Sequence, residues 1–457
     1  RKGDEYLVVV SNPYDLSAHQ EIKRHLPKVR FAVAEEEAIR VRVQRYLNEV
    51  SRSTEALREI SELLGGGASE SDVTGGEDSA IIKLVNGLLE EAILSRASDV
   101  HIEAVEREGA LKVRIRFRVD GELEEKAFYD PALHSPLITR VKVMAGLNIS
   151  ERRLPQDGQT IFTTSGGKRY KLRVSIVPGH RGEQAVIRIL PESGRIPSLK
   201  QLGFLEDTLK LYRGIVTKPY GLVLVVGPTG SGKTTTLFAT LKEIYRPELK
   251  IVTVEDPVEY ELPDITQIQV QPEIGRTFSS VLRSILRHDP DVIVVGEIRD
   301  SETARIAAEA AMTGHLVLAT LHTNDSTSAP ARLIEMGVEP YLLTNLLGVL
   351  AQRLVKRICP YCAVPYTPPI PDLPKGNYRK GRGCERCQGR GFQGRTAIYE
   401  LLVVNEVIQA NIAKRIGPSE LRAIALKAGL RTLRQDGLIK ASLGYTTPEE
   451  VLVKTLE

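Results

Sequence analysis

The stretch that decides how this chain folds is "LVLVVGPTGSGKTTT", residues 222–236. Its first five residues are apolar and rich in β-branching, the pattern of a strand buried on both faces. Gly227, four residues, then Gly232, Lys233 and Thr234 have the spacing of a phosphate-binding loop. Beyond the loop, Leu237, Leu241 and Ile244 recur at helical spacing. Strand, glycine-rich turn and helix N-terminus is the order that phosphate binding requires. Glycines let backbone N–H groups close around the anion, and the helix dipole favours its charge. In this reading Gly227, Pro228, Thr229, Gly230, Ser231, Gly232, Lys233, Thr234 and Thr235 form the nucleotide cradle. Lys233 reaches the β- and γ-phosphates of ATP, and the Thr234 hydroxyl holds magnesium.

Two acidic strand ends follow. "KIVTVEDPVEY" (250–260) ends a strand in Glu255 and Asp256, and "DVIVVGEIRD" (291–300) ends another in Gly296 and Glu297. Carboxylates at the C-terminal ends of neighbouring parallel strands face the ligand crevice of an open α/β sheet. They can hold magnesium's waters or take a proton from an attacking water. Gly296 stands where a generic phosphate-loop ATPase carries its magnesium aspartate, so Glu255 or Asp256 is expected to share that task and Glu297 to act as base. A third strand, "HLVLATLHTND" (315–325), finishes in His322, placed to contact or report a γ-phosphate.

All four cysteines fall in two pairs, "CPYC" (Cys359, Cys362) and "CERC" (Cys384, Cys387). Paired thiolates at this spacing suit one structural zinc, and disulfides do not suit a reducing compartment.

With 457 residues the chain is long enough for about three domains. A small α/β segment covers 1–64: strand, helix, strand, and a further helix over "EEEAIRVRVQRYL". A Gly/Ser/Asp-rich linker covers 65–79. An α+β domain with alternating strands such as "LKVRIRFRV" covers 80–190. A Pro/Gly hinge occupies 191–199, and a doubly wound parallel-sheet domain fills 200–457, with the cysteine lobe at 359–387. A net charge of +4, interspersed rather than banked, argues against a nucleic-acid partner, as do the 5% aromatic content and the absence of tryptophan. No apolar run is long enough to span a bilayer and no signal peptide is visible, so direct membrane insertion is not expected and the chain reads as cytoplasmic. It begins with Arg1 and opens almost directly into a strand, which reads as a fragment of a longer protein.

The phosphate loop, "EDPVE", "GEIRD" and "GHLVLATLHTND", in this order, resemble the secretion ATPases, in the branch that powers type IV pilus assembly and type II secretion. "ASDVHIE" (97–103), "RFRVDG" (116–121) and "ERRLPQDGQ" (151–159) are similar to motifs of that family's second N-terminal domain, and residues 6–46 to the end of its adaptor domain. The resemblance implies a RecA-like core behind a PAS-like domain. It also implies a homohexameric motor, peripheral to the inner membrane, that works on a platform protein there and meets a cytoplasmic adaptor protein. By position, the family's two γ-phosphate arginines match Arg173 and Arg188. Such a fork suits a transition state whose charge spreads over three oxygens. The tetracysteine motif agrees with the assembly and secretion ATPases rather than the pilus retraction ATPases. "LLGVLAQRLVKRICPYC" (346–362) resembles both subfamilies and leans toward secretion. Few Cys, Met and Trp with abundant Arg and Glu, however, hint at a thermophile, where single ATPases of this kind often drive pili. Pilus assembly is therefore expected, with type II secretion as the alternative and a nucleic-acid translocase as a remote one.

Overall fold

The computed structural model describes residues 6–25, 29–36, 39, 77–191 and 196–456. They fall into two compact units, Arg1–Glu192 and Ser193–Glu457.

In the first unit, β1 (Tyr6–Val10), α1 (Leu16–His25) and β2 (Val29–Val33) form a parallel β–α–β piece, with Tyr6 beside Val29. The helix expected after β2 lies almost wholly outside the described residues, as does the linker up to residue 76. Helix α2 (Glu77–Leu94) begins inside the stretch read as linker. It leads into β3 (Ala97–Arg107), β4 (Ala110–Val119), β5 (Glu122–Tyr129), α3 (His134–Ala145), β6 (Gln156–Thr163), β7 (Arg169–Gly179) and β8 (Gly182–Pro191). The six strands pair antiparallel in the order β5-β4-β3-β8-β7-β6.

Alternation decides the faces of this sheet. Val100, Ile102, Val113, Ile115, Phe117, Leu172, Val174, Ala185 and Ile187 point to a core shared with α2 and α3. Asp99, Glu103, Arg114, Arg116, Arg118, Arg173 and Arg188 occupy the opposite positions. Helix α3 is pinned by Lys142, 1% exposed, whose Nζ lies 2.6 Å from Glu183 Oε1 on β8 and donates to the Glu151 carbonyl at 2.6 Å. Removing either charge of a buried pair leaves the other uncompensated, at a cost of about 3–5 kcal/mol.

In the second unit, residues 192–195 of the expected hinge lie outside the described residues, and a 3-10 turn, Leu199–Leu202, follows. The sheet contains β9 (Gly221–Val226), β10 (Ile251–Glu255), β11 (Thr266–Gln269), β12 (Val292–Val295), β13 (Leu316–Leu321), β14 (Leu346–Ile358) and, after two short strands, β17 (Phe392–Val403). Their order is β11-β10-β12-β13-β9-β14-β17. Six strands are parallel, and β17 pairs antiparallel with β14 as an edge. The parallel-sheet expectation thus holds except at that edge.

Two-sided burial explains the apolar runs. Leu222, Leu224 and Val226 of β9 pack into one core with α6 (Phe278–Ile285), α7 (Ser301–Met312) and α8 (Ser328–Glu335). Val223 and Val225 pack into a second core with α4 (Glu206–Val216) and α5 (Lys233–Ile244). Four C-terminal helices, α9 (Glu406–Ala413), α10 (Pro418–Lys427), α11 (Leu433–Ser442) and α12 (Pro448–Lys454), complete the unit. Among the described residues no helix is long and apolar enough to cross a membrane.

Candidate functional site

The glycine-rich loop connects β9 to α5 as its sequence requires. Gly232 caps α5 at φ 87°, in the left-handed region, and α5 has no side-chain cap. The first N–H groups of the helix are therefore left for an anion. Lys233, 9% exposed, folds back on its own loop and donates to the carbonyls of Gly227 (2.8 Å) and Pro228 (3.1 Å). Burial pulls its ammonium down to about 8, against the opposing charge of Glu297 and with help from Arg353. A buried cation resting on carbonyls beside uncapped N–H groups fits a polyphosphate. Pro228, Thr229 and Gly230 are exposed, while Thr234 and Thr235 are half-buried on the first turn of α5.

Beside the loop, β13 separates β9 from β12, and β10 lies beyond β12. Glu297, just past β12, is the centre of an ionic chain. Its Oε1 is 2.9 Å from His322 Nε2, just past β13, and its Oε2 is 2.7 Å from Arg299 Nη2. Arg299 also donates to Asp256 at 3.1 Å. Burial acts to raise the Glu297 carboxyl, but Arg299, His322 and Lys233 outweigh it and hold it below the usual carboxylate range. Glu255, at the end of β10, behaves in the opposite way. It is 4% exposed, and its Oε1 accepts from Thr253 (2.6 Å) and Gln267 (2.8 Å). Its Oε2 is buried with no hydrogen-bond partner among the described residues. Burial pushes this carboxyl up. A buried acceptor without a donor fits a magnesium-bound water better than it fits a surface cap.

Sequence reasoning missed two residues here. Gln352 on β14 is 1% exposed; its Nε2 donates to Ser231 O at 2.5 Å and its Oε1 accepts from Thr236 at 2.8 Å. It thereby joins the loop to α5, and a side chain at Gly232 would meet Nε2 at 2.8 Å. The available signal was a polar residue inside the apolar run of β14, which must find partners when buried. Arg299 was legible only as the second residue after Glu297 in an extended chain, hence on the same side.

The predicted arginines lie in the first unit. Arg173 on β7 and Arg188 on β8 stand directly opposite one another, and Arg188 donates from Nε to Asp99 Oδ1 at 2.9 Å.

The four cysteines come together, all Sγ atoms within 4.8 Å of one another. The Cys359–Cys384, Cys362–Cys387 and Cys384–Cys387 separations are 3.8, 3.8 and 3.7 Å. A tetrahedron of sulfurs 2.3 Å from a zinc ion has edges of about 3.8 Å, whereas a disulfide closes to about 2.05 Å. Backbone N–H groups of Cys384 and Gly391 donate to Cys387 Sγ at 3.1 and 3.2 Å, as a thiolate needs. The donor set therefore fits zinc. The cluster sits between β14 and β17, beside a small antiparallel pair, β15 (Ala363–Pro365) and β16 (Arg379–Gly381). The main chain crosses itself closely there: a side-chain carbon at Gly381 would lie 1.9 Å from Gly391 O, so glycine is required.

Comparison with known proteins gives a consistent picture. Residues 75–453 match the family model described as type II/IV secretion system protein, and residues 1–54 match the MshEN domain. The chain is 42% identical, over its whole length, to a type IV pilus assembly ATPase PilB of Thermus thermophilus, of which it covers 52%. A pilus assembly ATPase PilB of Myxococcus xanthus is 39% identical over the whole chain and 83% covered. The type II secretion system protein E of Dickeya dadantii is 45% identical over 93% of the chain and 87% covered. The chain thus spans about half the length of the Thermus relative and most of the other two. Among solved structures, the pilus retraction motor PilT with bound ADP shares 27% identity at a TM-score of 0.53, covering 81% of this chain and 97% of that one. The ATPase DotB of Legionella pneumophila shares the fold, with 23% identity and a TM-score of 0.59, covering 81% of this chain and 94% of that one.

Proposed function

The chain belongs to the family of type II/IV secretion system proteins, and from that premise we propose that it is the ATP-hydrolysing motor part of a protein that assembles a type IV pilus. The carrying observation is coverage: the pilus-assembly relatives align along the whole of this chain, its N-terminal segment included. A second reading, drive of a type II secretion system, draws on the slightly higher identity of the type II relative.

The geometry supports a division of labour. The loop Gly227–Thr235 holds the phosphates, with Lys233 leaving its carbonyls for the β- and γ-oxygens. Magnesium, held by Thr234 with Glu255 and Asp256 behind it, would neutralise charge between those oxygens. Glu297 orients the attacking water and takes its proton. His322, bonded to the same carboxylate, reports whether the γ-phosphate is present. Arg173 and Arg188 supply the planar cations that stabilise charge on the transferring group, and their departure after hydrolysis turns chemistry into movement. The four cysteines hold a structural zinc. The assembly in this reading is a cytoplasmic homohexamer, carried at the inner membrane by a platform protein and an adaptor protein, with no nucleic-acid partner.

Steady-state phosphate release by the purified chain, with and without DNA, tests the motor reading. ATP turnover that DNA leaves unchanged and Lys233→Ala abolishes is the expected result. In the source organism, loss of surface pili on deletion supports the first reading. Intact pili with secreted proteins retained in the periplasm supports the second.

A further inference from the structure

The open face of the first unit's sheet carries a row of charges in strict register. Arg118 on β4 pairs with Asp99 on β3, Asp99 with Arg188 on β8, and Arg188 with Arg173 on β7. Three cations and one anion thus lie side by side across four strands. Asp99 is the buried member, 5% exposed, whereas the Arg188 side chain is 57% exposed.

Two arrangements of arginine and carboxylate occur on this face, and they differ in what they leave over. Glu103 takes Arg116 with both oxygens, at 2.8 and 2.7 Å, and Arg114 at 3.1 Å. That fork-to-fork contact consumes the face of Arg116 that would recognise another anion. Asp99 meets Arg188 by one prong only, Oδ1 to Nε at 2.9 Å. The two terminal amino groups of Arg188 have no partner among the described residues. Asp99 is itself held, since Ser98 Oγ donates to its Oδ2 at 2.8 Å and Arg118 Nε lies 3.8 Å from that oxygen.

We propose that Asp99 is a positioning residue for Arg188: it grips the Nε edge of the guanidinium, offsets the repulsion of Arg118 and Arg173, and aims the two free amino groups outward at a phosphate. This rests on the reading of Arg188 as a γ-phosphate ligand. An exposed arginine among like charges has many rotamers, and the ordering that phosphate recognition needs is here supplied before the ligand arrives.

A double-mutant cycle on the full chain tests the proposal, with kcat, KM for ATP and ADP affinity measured for each variant. Arg188→Ala lowers kcat about 10³-fold. Asp99→Asn keeps the shape and the acceptor oxygen but loses the charge, and it lowers kcat about tenfold. Asp99→Ala lowers it further. In all of them KM and ADP affinity stay near wild type, with kcat taken per ADP-binding site by titration so that an unfolded fraction does not enter it. The double variant Asp99→Ala/Arg188→Ala is no slower than Arg188→Ala alone. If Arg188→Ala turns over like wild type, the reading beneath the proposal is wrong. If Arg188→Ala is slow while Asp99→Asn and Asp99→Ala are unaffected, or the losses multiply in the double variant, Asp99 does not act through Arg188 and the proposal alone is overturned.

Discussion

Glu297 and His322, side chains from the ends of two adjacent strands, are joined by a 2.9 Å contact between Oε1 and Nε2. The same carboxylate is held on its other oxygen by Arg299. A carboxylate held from both sides is oriented, but its proton affinity is restrained until one partner lets go.

Replacing Glu297 by Gln keeps the shape and the hydrogen bonds available to Arg299 and removes proton acceptance. ATP binding should persist while turnover falls by about 10²–10⁴, the usual worth of a general base. Turnover within threefold of wild type would move the role to Glu255.

Arg299→Gln removes the strongest influence that holds the Glu297 carboxyl below its ordinary range. The carboxyl then titrates at higher pH, so the acid limb of the kcat/KM profile shifts toward neutrality. An unchanged acid limb, with folding intact, means that another group sets it.

Lys233 titrates at about 8 while it rests on carbonyls in a buried site. Phosphate oxygens brought against it favour the charged form and raise that value. Binding of nucleotide near pH 8 should therefore take up about half a proton, falling toward zero near pH 6, where the free lysine is already charged. Calorimetric titration in buffers of different ionisation enthalpy measures this directly. Equal heats in all buffers at pH 8 would contradict it, after correction for the nucleotide's own protons.

The cysteine cluster should hold one zinc per chain by elemental analysis. Apparent binding energies for such sites are about 10–16 kcal/mol, so chelation should expose the lobe at 359–387 to protease before the rest of the unit opens. A metal-free preparation with an unaltered melting curve would remove zinc from the structure.

What the sequence made legible was chemistry carried by neighbours in the chain. Gly227–Thr235, the two CxxC pairs and the apolar runs of β9, β12 and β13 each announce themselves within about ten residues, because local periodicity and turn chemistry fix them. What it concealed was pairing across distance. Gln352 meets Thr236 from 116 residues away. The insertion of β13 between β9 and β12 leaves no local mark, because an all-apolar strand fits any interior position. The antiparallel edge β17 escaped for a related reason: the cysteine lobe, not a helix, connects it to β14, so no crossover forces it parallel. The row from Arg118 to Arg173 needed the register itself.

Strand β14 links the glycine-rich loop to the cysteine lobe. It contacts the glycine-rich loop through Gln352 and reaches the cysteine cluster at Cys359, seven residues along one extended segment, a span of about 23 Å. From Gly348 to Lys356 it is laddered without interruption to β17. The cluster joins the adjacent ends of β14 and β17, so a pull on it along the strand axis draws the pair as one unit and shears the β14–β9 ladder, whereas a sideways pull would open bonds one by one. Load borne at the cluster is thereby passed to β9, the strand that runs into the glycine-rich loop.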